Sequence, residues 1–152
     1  MNLLASAETV AGDFSGEASI RYRGGTATFG TVADGYRMTL ARDKTTRVYE
    51  VVETIGSRFF QYYVGSLVTG PEPKAHPMYQ ARFVLPFGYW LDEKQWVPVV
   101  HVHREVPELD REDPFAAAGE LRRFAPYAQG CNGCHTTFAL GDSLTRELLR
   151  LG

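Results

Sequence analysis

The sequence predicts a mainly β fold of the α+β class, in which an antiparallel meander or partly closed barrel of six or seven strands precedes a short helical segment. Short stretches of alternating, β-branched and aromatic residues occupy the chain up to His103, and turns containing glycine or proline separate them. From Arg104 onwards the chain is charged and poor in strand-forming residues. We therefore expect an antiparallel β domain over 1–103, with a linker and helical segment over 104–152 packed against it as one unit.

The strand positions follow from composition and periodicity. Strands are expected over 17–23, 26–29, 36–40, 45–54, 59–64, 79–87 and 95–103. Asp34-Gly35 readily takes the positive φ values that a tight hairpin needs. The period of two then places Tyr36, Met38 and Leu40 on one face of the following strand.

Prolines mark the irregular segments. The proline-rich stretch 67–78 predicts a surface loop. Asp113-Pro114 predicts the start of a helix, with Asp113 as its cap and Pro114 in the first turn, where the missing N–H costs nothing. Pro126 ends that helix, and Gly141-Asp142 is expected to end a further short helix and to cap another that reaches Leu151.

Charge and hydropathy argue against two classes of partner. The 152-residue chain carries 16 Lys and Arg against 18 Asp and Glu, so it lacks the basic field that attracts nucleic acids and anionic membranes. No apolar run is long enough to cross a bilayer, and the first residues lack the charged and apolar regions of an export signal. We expect a piece of a larger protein.

The only two cysteines of the chain stand in Cys131-Asn132-Gly133-Cys134-His135. This is the C-x-x-C-H spacing of covalent haem attachment. On a helical turn both sulfurs lie on one side, so Cys131 and Cys134 can bond the two vinyl groups of one haem while His135 binds the iron as proximal ligand. Gly133 lets the porphyrin lie close to the backbone. The motif predicts haem c as the cofactor.

Three other interpretations of the motif stay open. A zinc site would use Cys131, Cys134, His135 and a fourth ligand such as His101 or His103, which would give a zinc-stabilised binding module without redox activity. A thiol redox pair normally follows a strand of a βαβ unit, which this sequence does not predict. A structural disulfide is the third interpretation. Haem attachment is favoured because the motif uses both cysteines and the histidine beside them.

The second axial ligand of the iron would be a histidine or a methionine. Met38 is expected in the core, whereas His76 and Met78 lie in the predicted loop and are expected to be exposed. The period of two places His101 and His103 on one face of the last predicted strand, and His103 is preferred because it stands at the strand end. An open sixth position would instead give a haem sensor or a reductase.

Several short sequences spread along the chain resemble the N-terminal region of exported multihaem c-type cytochromes. They are Gly12-Asp13-Phe14, 49–51, 54–56, 61–63, Leu85-Pro86, Trp90, Trp96 and 131–137. The resemblance implies a periplasmic or extracellular electron-transfer module that carries one haem and exchanges electrons with neighbouring haems or a redox protein, in an assembly or a homo-oligomer. Such proteins hold several C-x-x-C-H motifs, whereas this chain holds one. No catalytic residue is predicted, and a carrier is expected rather than a stand-alone enzyme.

Overall fold

Nine strands form one antiparallel sheet in the part of the chain that the computed structural model describes, residues 2–33, 35–56, 58–99 and 113–116. They are β1 (Asn2–Leu4), β2 (Ser15–Tyr22), β3 (Gly25–Val32), β4 (Gly35–Arg42), β5 (Thr45–Ile55), β6 (Phe60–Thr69), β7 (Phe83–Val84), β8 (Phe87–Trp90) and β9 (Gln95–Pro98). A 3₁₀ helix, Pro77–Tyr79, lies between β6 and β7. The mainly β prediction is confirmed, but six or seven strands is too few.

The sheet curls until it is nearly closed into a barrel. Its strand order is β2-β3-β4-β5-β6-β8-β9, and β9 returns to contact β2. The two additional strands are short pieces that prolong their neighbours: β1 pairs with β5 beyond the end of β4, and β7 pairs with β6 beside β8. Pro86 divides the predicted strand 79–87 because proline has no N–H for the ladder.

The hairpin between β3 and β4 turns one residue earlier than predicted. Val32 pairs with Gly35, so Gly35 already belongs to β4, and the positive φ of 33° falls at Ala33. The predicted face of β4 is confirmed: Met38 and Leu40 are buried, and Tyr36 packs against the same cluster. The alternation of β4 thus predicts which side chains enter the core. The residues of the turn did not by themselves predict the register in which β3 pairs with β4.

Large side chains fill the interior of the barrel. The largest fully buried ones are Tyr49, Tyr63, Phe29, Phe83, Phe87, Met38, Met78 and Leu85. Trp96 stacks on Phe29 with 3.5 Å between ring centroids, and Phe87 meets Phe29 edge to face. One continuous core cluster therefore runs from Phe14 at one end of the barrel to Phe115 at the other.

The described residues after the predicted linker form a turn, at the position where a helix start is expected. Asp113 Oδ1 accepts a hydrogen bond from the Phe115 N–H at 3.0 Å, and the carbonyl of Asp113 accepts one from Ala116. The Asp113 side chain thus accepts the bond that a helix cap would accept, but the described residues form a turn and the helix that Asp113 is predicted to cap is not shown within them. The helices expected further along the chain lie outside the described residues.

Candidate functional site

The predicted haem-attachment residues Cys131, Cys134 and His135 lie outside the described residues, as do His101 and His103, the candidates for the distal ligand. Their assignment therefore stays a prediction. Within the described ranges no group of three or more His, Cys, Asp or Glu side chains could hold a metal ion. The helix described there is too short to cross a membrane.

The two methionines among the distal-ligand candidates have places in the core. Met38 is fully buried, as expected for core packing, and belongs to the central cluster. Met78 is only 2% exposed and belongs to the same cluster, so its predicted exposure is wrong. The 3₁₀ helix directs Met78 inward, where its flexible side chain packs in the core cluster. Neither thioether reaches an iron outside the barrel without opening this core.

His76 has a structural role of its own. Its Nδ1 accepts a hydrogen bond from the Met78 N–H at 3.3 Å and thereby caps the 3₁₀ helix. A neutral imidazole that accepts at Nδ1 carries its proton on Nε2, so Nε2 has no lone pair for a metal. Ligation through Nε2 would therefore require His76 to release its cap.

One end of the barrel, which we call the aromatic end, consists of Gly12, Phe14, Gln61, Tyr63 and Trp96. Phe14 is 4% exposed and meets the rings of Tyr63 and Trp96 edge to face, at centroid distances of 5.3 and 5.1 Å. A Cβ on Gly12 would lie 2.4 Å from the Tyr63 hydroxyl and 2.8 Å from the Trp96 ring. Glycine is therefore the residue that lets the backbone pass beneath both side chains.

Neutral polar groups fix the N-terminal segment to this aromatic end. The buried Gln61 amide accepts a hydrogen bond from the Ala11 N–H at 2.7 Å and donates one to the Thr9 carbonyl at 2.8 Å. Tyr63 Oη accepts the Gly12 N–H at 3.0 Å, and burial raises the pKa of the Tyr63 phenol. Sequences that carry the family resemblance thus meet here, and each has a structural task.

The opposite end, which we call the arginine end, consists of Arg42, Arg47, Glu72, Asp113 and Phe115. Arg47 points inward from β5, and its Nε donates to Glu72 Oε1 at 2.7 Å, with side chains only 6% and 8% exposed. Arg47 Nη1 also donates to the Phe115 carbonyl at 3.0 Å. A guanidinium this deeply buried needs such partners, because an unpaired buried charge is very costly.

Phe115 joins the four-residue segment 113–116 to the barrel. Its side chain is 5% exposed and lies over Gly25, where a Cβ would come within 2.6 Å of the ring. Arg42 forms an ion pair with Asp113, and its guanidinium carbon lies 5.5 Å from the centroid of the Phe115 ring. Both arginines therefore contact the same segment, Arg42 at Asp113 and the Phe115 ring and Arg47 at the Phe115 carbonyl.

Tyr49 lies beside the buried ion pair at the arginine end. Burial raises the pKa of its phenol, the charge of Arg47 opposes that rise, and the charge of Glu72 adds to it. Its hydroxyl is buried and has no hydrogen-bond partner within the described ranges. The phenol therefore stays neutral, and it contrasts with Tyr63, which receives a hydrogen bond at the aromatic end.

The arginine end also forms a partly open cavity of about 230 Å³. Its walls are Leu40, Arg42, Asp43, Thr45, Arg47 and Phe115. No sequence pattern singled out this cavity, although Arg47 shares its strand face with Tyr49 and Val51, which is a signal of an inward-pointing charge. Comparison with known proteins adds no assignment: no family model, no curated protein and no solved structure matches this chain.

Proposed function

We propose that this chain is a c-type cytochrome domain that carries one covalently attached haem and transfers electrons by an outer-sphere mechanism. The observation that carries the proposal is the C-x-x-C-H sequence, which contains both cysteines of the chain. Cys131 and Cys134 would hold the haem through thioether bonds, and His135 would be the proximal ligand. This donor set fits the group, since it supplies two thiols for two vinyl groups and an imidazole nitrogen for the iron.

The bound haem supplies reversible one-electron chemistry. The residues of this chain would attach it, set its orientation and control its exposure to water. His103 or His101 would fill the distal position. Met38, Met78 and His76 are weaker candidates because each already has a contact that ligation would break.

Packing of the barrel supports a haem that lies outside the barrel interior. Phe29, Tyr49, Tyr63 and Phe87 are each fully buried in the one core cluster, and a macrocycle would have to displace several of them. The barrel would then serve as a scaffold for the haem-bearing segment. A neighbouring haem or a redox protein outside the cytoplasm would be the partner, as the resemblance to multihaem cytochromes implies.

An absorption spectrum with and without dithionite tests this proposal on protein made together with haem-maturation machinery. We expect a reduced spectrum typical of haem c from the parent chain and none from the Cys131→Ala/Cys134→Ala double variant. A Ser6→Ala variant, altered at an exposed site of the N-terminal segment, is the control. A colourless parent protein that contains one zinc ion per chain would contradict the haem proposal and favour the zinc module.

The distal ligand has a separate test. Replacing His101 or His103 by alanine should convert low-spin iron to high-spin iron if that residue is the ligand, and His76→Ala is the matched control. A high-spin parent spectrum that shifts on addition of carbon monoxide would indicate an open site instead. An unchanged spectrum in both strand variants would discard both histidines.

A further inference from the structure

The cavity at the arginine end combines two cationic walls with apolar ones. Arg42 and Arg47 line it together with the Thr45 hydroxyl, while Leu40 and Phe115 supply apolar surface. Its volume of about 230 Å³ is smaller than the cavities that usually hold drug-sized ligands. The space suits a small polar group rather than an extended molecule.

Arg47 holds unused hydrogen-bond donors at this cavity. A guanidinium has five N–H groups, and the contacts to Glu72 and to the Phe115 carbonyl use two of those on Arg47. The other three, five minus two, donate to no acceptor within the described part of the chain. Because Arg47 is 5% exposed and held by Glu72 and Phe115, these donors are fixed in place before any ligand arrives.

Arg42 and Thr45 add donors from the two strands beside the cavity. Arg42 uses Nη1 for Asp113, and Thr45 lies on the cavity wall with a hydroxyl that can donate a hydrogen bond. Glu72 is paired with Arg47, and Asp113 is paired with Arg42. Asp43 is the carboxylate among the residues that line the cavity. The cavity therefore offers donors from Arg42, Arg47 and Thr45, and the carboxylate of Asp43 on the same wall would repel an anion.

We propose that this cavity is a binding site for a small oxyanion, a carboxylate or a phosphate group, held by Arg42, Arg47 and Thr45. Two sources would provide that chemistry: a propionate of the haem on the same chain, which rests on the proposed function, or a free small anion. Two arginines and three carboxylates (Asp43, Glu72 and Asp113) lie at the site, so their formal charges sum to −1. Recognition of an anion therefore depends on hydrogen-bond geometry rather than on long-range attraction.

Titration of the full chain with inorganic phosphate and with acetate, at constant ionic strength, tests the site. Arg42→Gln should weaken binding about tenfold and Thr45→Val severalfold, because each removes a donor to an anion. Asp43→Asn should strengthen binding, because it removes the opposing carboxylate. Asp43 has a φ of 54°, which asparagine tolerates, so this variant keeps the turn intact. Arg21→Gln and Thr46→Val, on exposed positions, are the matched controls.

The haem-free double variant Cys131→Ala/Cys134→Ala distinguishes the two sources. Anion binding by both the haem-loaded and the haem-free protein supports a site for a free anion. Binding by the haem-free protein alone, with a reduction potential that shifts in Arg42→Gln, supports a site for the propionate. No binding by either form up to about 10 mM, or weaker binding by Asp43→Asn, overturns the proposal. If the parent chain takes up no haem, the proposed function fails while the titration of the haem-free protein still decides the site.

Discussion

The two ends of the barrel are closed by different chemistry. At the aromatic end, Phe14 and the backbone beside it are held by rings and by neutral groups, such as the Tyr63 hydroxyl that accepts the Gly12 N–H. At the arginine end, Phe115 is held by charged groups, the guanidinium of Arg42 on its ring and that of Arg47 on its carbonyl. One end is a dense aromatic core, whereas the other has a cavity beside the buried ion pair Arg47–Glu72 and the partly exposed pair Arg42–Asp113.

The two ends differ in the role that we expect for their residues. The aromatic end gathers sequences on which the family resemblance rests, yet Gly12, Gln61 and Tyr63 have contacts there that folding alone explains. The arginine end holds the segment 113–116, which precedes the predicted haem-binding motif in the sequence. We therefore expect substitutions at the aromatic end to affect mainly folding, and those at the arginine end to affect mainly the proposed site.

The largest effect is expected for Phe14→Ala. Phe14 is 4% exposed and meets four rings, so its removal leaves a cavity in the core. The free energy of unfolding should fall by about 3–5 kcal/mol in a urea titration. Phe59→Ala is the matched control, because Phe59 is 59% exposed and its removal should change stability by less than about 0.5 kcal/mol. Equal effects of the two substitutions would contradict the account of the aromatic end.

A smaller loss is expected for Gly25→Ala at the arginine end. The new Cβ would lie 2.6 Å from the ring of Phe115, so the ring has to move, at a cost of about 1–3 kcal/mol. Chymotrypsin should then cleave after Phe115 faster than in the parent protein. Gly35→Ala meets open space and is the control. Unchanged cleavage and stability in Gly25→Ala would show that Phe115 is not anchored at Gly25.

The same substitution at two buried tyrosines should have different outcomes. Tyr63→Phe removes the acceptor of the Gly12 N–H and should lower the free energy of unfolding by about 1 kcal/mol. Tyr49→Phe removes a buried hydroxyl that has no partner among the described residues, so stability should stay level or rise. Urea midpoints of the two variants at pH 7 measure the contrast. A larger loss for Tyr49→Phe would place an unrecognised hydrogen bond at the arginine end.

The smallest effect concerns alkaline pH. Burial raises the pKa of Tyr63 and of Tyr49, so ionisation of these phenols leaves the free energy of unfolding unchanged below the unfolded pKa of about 10 and lowers it as the pH rises towards the folded values. At pH 10 the unfolded phenol is half ionised, which costs roughly 0.4 kcal/mol per tyrosine. Urea midpoints between pH 8 and pH 11 should therefore fall less steeply in either phenylalanine variant than in the parent. Parallel curves would contradict a raised pKa.

Periodicity predicted strands such as β3 and β4 because buried and less buried residues alternate along them. The alternation of β4 correctly places Met38 and Leu40 in the core, since a strand repeats every two residues. Turn residues predicted the hairpin but not its register, because either Ala33 or Gly35 could have taken the positive φ of the turn. The pairing of Val32 with Gly35 shows that Ala33 takes it and that Gly35 belongs to β4. Burial of Met78 was missed because local proline content says nothing of what lies beneath a loop.

The haem motif could be predicted from the sequence, whereas the cavity could not. The haem motif is local, since five consecutive residues contain both thiols and the imidazole, and it stays a prediction because those residues lie outside the described part of the chain. Five of the six residues that line the cavity lie within 40–47, but Phe115 comes from a distant part of the chain, as does Glu72, which holds Arg47 in place. Only the folded barrel brings these groups together, so no short pattern predicted them.

Mass spectrometry of the intact, denatured chain tests the central proposal most directly. Protein made with haem-maturation machinery should keep the mass of one haem after unfolding, because thioether bonds to Cys131 and Cys134 survive denaturation. The Cys131→Ala/Cys134→Ala double variant should show the mass of the polypeptide alone. A parent chain without added mass under these conditions would contradict covalent haem attachment and with it the proposed function.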